Sequence, residues 1–156
     1  MVGQVIYALL SKSIPVLSLV GYQDPETRAQ RIGVYPRKAA QGKPFPRVTY
    51  LVISTEELRT LGKGRTGHVG ELVQLECWDP SDKKARDLAQ RVLNALDPHE
   101  DDGGGIRGRV GPYFVQSIAV QNRDAEWDTP PYGDEQGVAR EGLEFMVWYE
   151  ERPGSP

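Results

Sequence analysis

The chain predicts an α+β domain, a mostly antiparallel sheet of four to five strands packed by one main helix and a short N-terminal helix. Three observations carry this expectation. Ala85, Leu88, Ala89, Val92, Leu93 and Leu96 recur at spacings of three and four, which makes one apolar stripe along a helix. Three stretches, over 70–78, 113–121 and 143–149, alternate apolar and polar residues with the period of a strand. Pro36, Pro44 and Pro46 punctuate the segment between residues 34 and 54, which can therefore be neither helix nor the middle of a sheet.

In chain order, Val5, Ile6, Leu9 and Leu10 form the apolar face of a short helix over residues 4–11. Pro15 divides it from a second turn over 16–20, and Gly21 stops that turn. Asp24-Pro25 opens a polar loop over 22–30. An edge strand over 32–35 leads into an extended crossing and a new strand from about Arg47. Both faces of residues 48–54 are largely apolar, so this strand is expected to be covered on both sides.

Residues 55–69 lose the pattern and gather Arg59, Lys63, Arg65 and His68 among glycines, as a long hairpin connection extending from the sheet would. Alternation returns over 70–78 with Val73, Leu75 and Cys77 on one face. Asp79 is expected to cap the main helix with Pro80 at its first position, and Asp97-Pro98 to end it. Residues 100–105 read as an acidic turn and 113–121 as a strand. A second long polar loop is expected over 122–137, and a closing strand follows with Leu143, Phe145, Val147 and Tyr149 on one face. Residues 1–150 form one domain, residues 151–156 are expected to fray, and no internal repeat is evident.

At 156 residues the chain can bury roughly two-thirds of its unfolded surface and needs no disulfide or metal to fold. Its formal net charge of −3 argues against nucleic-acid binding as the main function. Cys77 is the single cysteine and reads as a small buried apolar residue, while two histidines cannot build a standard zinc site. Residues 2–20, interrupted by Lys12 and Pro15, are too short and polar to span a bilayer and lack the charged lead-in of a signal peptide. Catalytic patterns fail one by one. Adjacent Glu56 and Glu57 point apart, His68 lacks an orienting carboxylate and a nucleophile, and His99 follows a helix-ending proline. The run Glu100 to Gly105 lacks the alternation of a calcium loop, and the following glycines lack the strand and helix of a phosphate loop. No enzyme, cofactor, metal or small-molecule substrate is expected. The basic cluster Arg59, Lys63 and Arg65 has no interleaved aromatics to stack bases, so it reads as a solvated loop or as an assembly contact.

The segment 34–54, VYPRKAAQGKPFPRVTYLVIS, resembles the opening of the tail-completion (tail-terminator) proteins of tailed bacteriophages. In that family an N-terminal helix precedes a pattern of the form VYP…A.QG..FP.V.Y..IS. The resemblance extends to ELVQLECWDPSDKKARDLAQRVLNAL and to the closing VAREGLEFMVWYEE, and so runs from about Tyr7 to Glu150. Departures lie around residues 22–29, 100–105 and 124–136.

The resemblance implies a non-catalytic structural protein of the virion, made in the bacterial cytoplasm. It would be a hexameric ring at the head-proximal end of the tail, contacting the tail tube protein and the head completion or stopper protein of the connector. Nucleic acid would only pass through the lumen, and no membrane is involved. Candidate interface residues are Leu51, Ile53, Arg59, Lys63, Arg65, His68, Trp127 and Trp148, with the two tryptophans expected to be exposed. A head–tail stopper or other neck protein, and a small non-viral interaction module, remain as alternatives.

Overall fold

The computed structural model describes residues 2–36, 44–60, 64–102, 105–128 and 137–151. Its helices are α1 (Val2–Lys12), α2 (Ile14–Val20) and α3 (Asp82–Leu96), with a 3-10 turn at Glu100–Asp102. Its strands are β1 (Gly21–Gln23), β2 (Gln30–Ile32), β3 (Val34–Pro36), β4 (Arg47–Thr60), β5 (Gly64–Asp79), β6 (Gly108–Val110), β7 (Tyr113–Asp128) and β8 (Val138–Glu151). A six-stranded sheet runs β3-β4-β5-β8-β7-β6, so the four to five strands expected become six, and β1 and β2 form a separate ribbon where a loop was expected. The sheet is antiparallel except at one edge, where β3 runs parallel to β4.

The helices cover one face. Val73, Leu75 and Cys77 of β5 and Leu143, Phe145 and Val147 of β8 are fully buried beneath Leu88, Ala89, Val92 and Leu96 of α3 and Val2, Val5, Ile6 and Leu10 of α1. No described helix is by itself long and apolar enough to cross a membrane; α1 and α2 bend by 91° at their junction, and their apolar residues lie in this core. Burial pushes the Cys77 thiol far above its ordinary pKa, with the Glu141 charge adding to the effect, which leaves the thiol protonated and inert. Arg91 fastens α3 to α2 by donating from Nη1 to the Pro15 carbonyl at 2.9 Å and to Ser18 Oγ at 2.7 Å.

The cap of α3 falls two residues later than the sequence predicts. Ser81 Oγ accepts from the Lys84 N–H at 3.4 Å, while Asp79 Oδ2 accepts from the Ser81 N–H at 2.7 Å. Asp79 thus holds the turn before the helix. At the other end Asp97 follows Leu96, and its carboxylate accepts the Val120 N–H at 3.0 Å, which ties the helix end to β7.

The largest difference lies in the two expected long loops. β4 and β5 stay paired out to Thr60↔Gly64, and β7 and β8 out to Asp128↔Val138. Residues 53–58 and 121–126 are exposed on both faces, so no apolar alternation marks them as strand; ladder hydrogen bonds hold them, joined on β7 by the ion pairs of Arg123, Asp124 and Glu126. Position 63 and residues 129–136 lie outside the described residues.

An internal repeat is present, contrary to the expectation of none. α1 and α2 precede short β3, long β4 and long β5; α3 precedes short β6, long β7 and long β8. The β4–β5 register shifts between Val52 and Ser54 and between Glu57 and Arg59, and the β7–β8 register between Val115 and Ser117 and between Val120 and Asn122. These positions differ by a constant 63 (52 and 115, 54 and 117, 57 and 120, 59 and 122). A pseudo-two-fold axis normal to the sheet, beside the pair Glu71↔Val147, relates the two hairpins. The shifts at Val52, Val115 and Val120 each insert one residue into an outer strand against a regular inner one, whereas between Glu57 and Arg59 the extra residues lie on β5, around Gly67 with its positive φ. Outer-strand bulges increase local twist and curl the sheet.

Phe145→Ala removes the largest fully buried side chain and is expected to cost about 3–5 kcal/mol, read as a lower urea midpoint. Ser81→Ala is expected to cost about 1 kcal/mol, whereas Asp79→Ala acts on the preceding turn and not as the helix cap.

Candidate functional site

The face of the sheet opposite the helices carries no element among the described residues. Strand alternation assigns its side chains, and the register arranges them in rows across β5, β8 and β7. From one end to the other the rows are His68–Glu150–Phe114, Gly70–Trp148–Ser117, Leu72–Met146–Ala119, Gln74–Glu144–Asn122, Glu76–Gly142–Asp124 and Trp78–Arg140–Glu126. The face is therefore mainly apolar in its second and third rows, polar in the fourth and ionic in the last two.

Glycine shapes both parts. A Cβ on Gly70 would stand 2.7 Å from ring carbons of Trp148, so the indole lies directly over the Gly70 backbone. Trp148 is half-buried as a result, not exposed as expected. A Cβ on Gly142 would stand 2.1 Å from Asp124 Oδ1; the bare glycine lets that carboxylate fold across β8 towards Arg140.

Arg140 is the hub of the ionic end. Its Nη1 donates to Glu76 Oε1 at 3.1 Å, and its Nη2 donates to Asp124 Oδ2 at 3.2 Å and to Glu126. Burial pulls the guanidinium pKa down, but the Glu126 hydrogen bond and the charges of Glu76, Asp124 and Glu126 outweigh it and leave it raised. One positive charge against three negative ones leaves this end acidic. The next residue, Glu141, points to the helix face and is buried, with Arg86 at 3.9 Å and Arg123 at 3.7 Å.

Buried Glu71 also lies on the helix face. Tyr149 Oη donates to its Oε1, and its Oε2 has no hydrogen-bond partner among the described residues. The sequence reading missed Arg140, Glu141 and Glu71, because alternation alone does not distinguish a charge held in the sheet from one in solvent.

Leu51 and Ile53 are 42% and 46% exposed, so nothing described covers this side of β4, where the two-sided apolar pattern led us to expect a cover. Leu51 flanks Gln74 on the uncovered face, and Ile53 is the extra residue of a bulge. His68 and Trp148 share that face, and the His68 ring Nδ1 lies 2.9 Å from Gln116 Nε2. Arg59 stands opposite Arg65 near the tip of the β4–β5 pair, and Trp127 stands opposite Ala139 on β7; only their backbone positions are described. Lys63 lies outside the described residues. The structure thus brings Leu51, His68 and Trp148 to one face and sets Arg59, Arg65 and Trp127 towards strand ends.

A depression of about 450 Å³ opens between α1 and the β1–β2 ribbon. Tyr22 and Tyr35 hydroxyls meet in it at 3.2 Å, and Arg31 faces Asp24 at 3.7 Å. Burial, with the Tyr22 hydrogen bond, raises the Tyr35 phenol well above its ordinary pKa. Its described lining contains no Ser, Cys or His.

Gly70→Val is expected to lift Trp148 off the sheet. The overpacking should cost about 1–3 kcal/mol in urea unfolding and shift tryptophan emission to the red; an unchanged spectrum and midpoint would refute the contact.

Compared with known proteins, the chain matches no family model and no curated protein by sequence. Its fold is similar to that of a chain in the virion of a native gene transfer agent particle, with a TM-score of 0.59 over 94% of this chain and 93% of that one. At 14% identity, what the two share is the fold.

Proposed function

We propose that this chain is a non-catalytic structural protein of a phage-like virion. In this reading it completes the tail tube at its head-proximal end as a ring of identical copies and joins the tube to the head connector. The observation that carries the reading is the near full-length fold likeness to a virion chain. The VYP…FP.V.Y..IS pattern of residues 34–54 supports the tail-completion position within the particle.

The physical features support contact as the task. A half-apolar sheet face that no described element covers, together with exposed Leu51, Ile53 and Leu58 on one strand, offers a surface for another protein chain. A head-to-tail interface closes into a ring when the rotation per copy divides a full turn. The partners in this reading are further copies of the chain, the tail tube protein and the connector's stopper protein, with DNA passing through the lumen.

Leu51→Asp and Ile53→Asp are expected to leave the urea midpoint within about 0.5 kcal/mol of the parent, because both side chains are exposed in the single chain. Both should abolish the ring on size exclusion and in negative-stain images. A variant that still elutes as the parent ring removes Leu51 or Ile53 from the interface. Co-purification of the parent with a tail tube protein tests the position in the particle; co-purification with connector proteins alone favours a neck role.

A further inference from the structure

We infer that copies of this chain join edge to edge, β4 of one copy pairing antiparallel with β7 of the next, so that the sheet runs unbroken around the assembly. This rests on the ring reading above and specifies its interface.

The first observation is that both long outer strands are covered over only a short stretch. β3 pairs with Val48–Tyr50 of β4, and β6 pairs with Tyr113–Val115 of β7. Among the described residues no strand lies against the outer side of residues 51–56 or of residues 121–126. A row of outward N–H and C=O groups is a template for another strand. β4 carries exposed Leu51 and Ile53 there in place of the lysine or proline that blunts an edge.

The second observation is strand sense. Three antiparallel steps, β4 to β5, β5 to β8 and β8 to β7, separate the two edges, so β4 and β7 run in opposite directions. Rotation about an axis roughly along the strands preserves direction. It therefore brings β4 of one copy to β7 of the next in the antiparallel sense, the more stable ladder. The two edges also lie on opposite sides of the sheet, which makes the contact heterologous and able to close.

The third is curvature. Bulges stand level with one another on the two outer strands, Val52 in register with Val120 across β5 and β8, and β7 is bulged again at Val115. They curl the sheet, as closure requires. Matching residues 51–56 to residues 121–126 staggers successive copies along the strands, and tilt with stagger is what a closed sheet needs.

The test is disulfide trapping in the full chain. Ser54→Cys or Thr55→Cys is combined in turn with Gln121→Cys, Asn122→Cys or Ala125→Cys, all at exposed positions. Within one copy β5 and β8 separate these sites by three strand spacings, roughly 14 Å, too far for a disulfide. Native Cys77 is buried and does not compete. Circular dichroism confirms that each variant folds. On oxidation, at least one combination should give a ladder of covalent multimers that stops at the closed ring, with every single-cysteine variant staying unlinked. Rings in negative stain with no ladder from any combination overturn the edge pairing and leave the ring reading intact. A single-cysteine Ser54 or Thr55 variant that forms covalent dimers overturns it in favour of two β4 edges meeting symmetrically. A chain that neither assembles nor cross-links at high concentration overturns both readings.

Discussion

The inner pair of strands, β5 and β8, is the constraint on which the rest of the molecule depends. The helices need an apolar surface to lie on, and Val73, Leu75 and Cys77 of β5 with Leu143, Phe145 and Val147 of β8 supply it, bordered on the same face by buried Glu71 and Glu141. Because the side-chain period of a strand is two, the same register fixes what the opposite face presents. The helix-covered core and the uncovered face are therefore one specification. The rows of Leu72–Met146–Ala119 and Gly70–Trp148–Ser117 exist because their neighbours along each strand are buried.

Outer strands serve a different end. They share the register of the inner pair but carry bulges at matched heights, and over residues 53–58 and 121–126 both faces are exposed. Apolar packing contributes little to such stretches, which are held by ladder hydrogen bonds to the inner strands. The molecule thus combines a rigid centre with two projecting margins built alike.

Legibility in the sequence followed the same division. Helix α3 was visible because its stripe is continuous and because charged residues occupy its remaining sides; only its cap was displaced, from Asp79 to Ser81. The strands over 70–78 and 143–149 were visible because one face is buried. Residues 55–58 and 122–126 looked like loops because they are exposed on both sides, and a strand without a buried face has no hydrophobic period. The internal repeat escaped for a related reason. Two hairpins can share bulges and pairing while sharing few side chains, and the one local echo, Tyr50 to Ser54 against Tyr113 to Ser117, is five residues long. At the surface itself, Leu51 and Ile53 were marked by an apolar pattern too complete for a half-covered strand. Arg140 was not, since nothing in the sequence places it among three carboxylates from two other strands.

Arg140 and Glu141 are adjacent, yet one meets carboxylates on the uncovered face while the other meets arginines beneath the helix. Sliding β8 by a single position against its neighbours would put an acid among acids and a guanidinium among guanidiniums. Two opposite charges in succession therefore act as an electrostatic key. They disfavour the nearest misalignment of the central strand by charge, in addition to what packing selects.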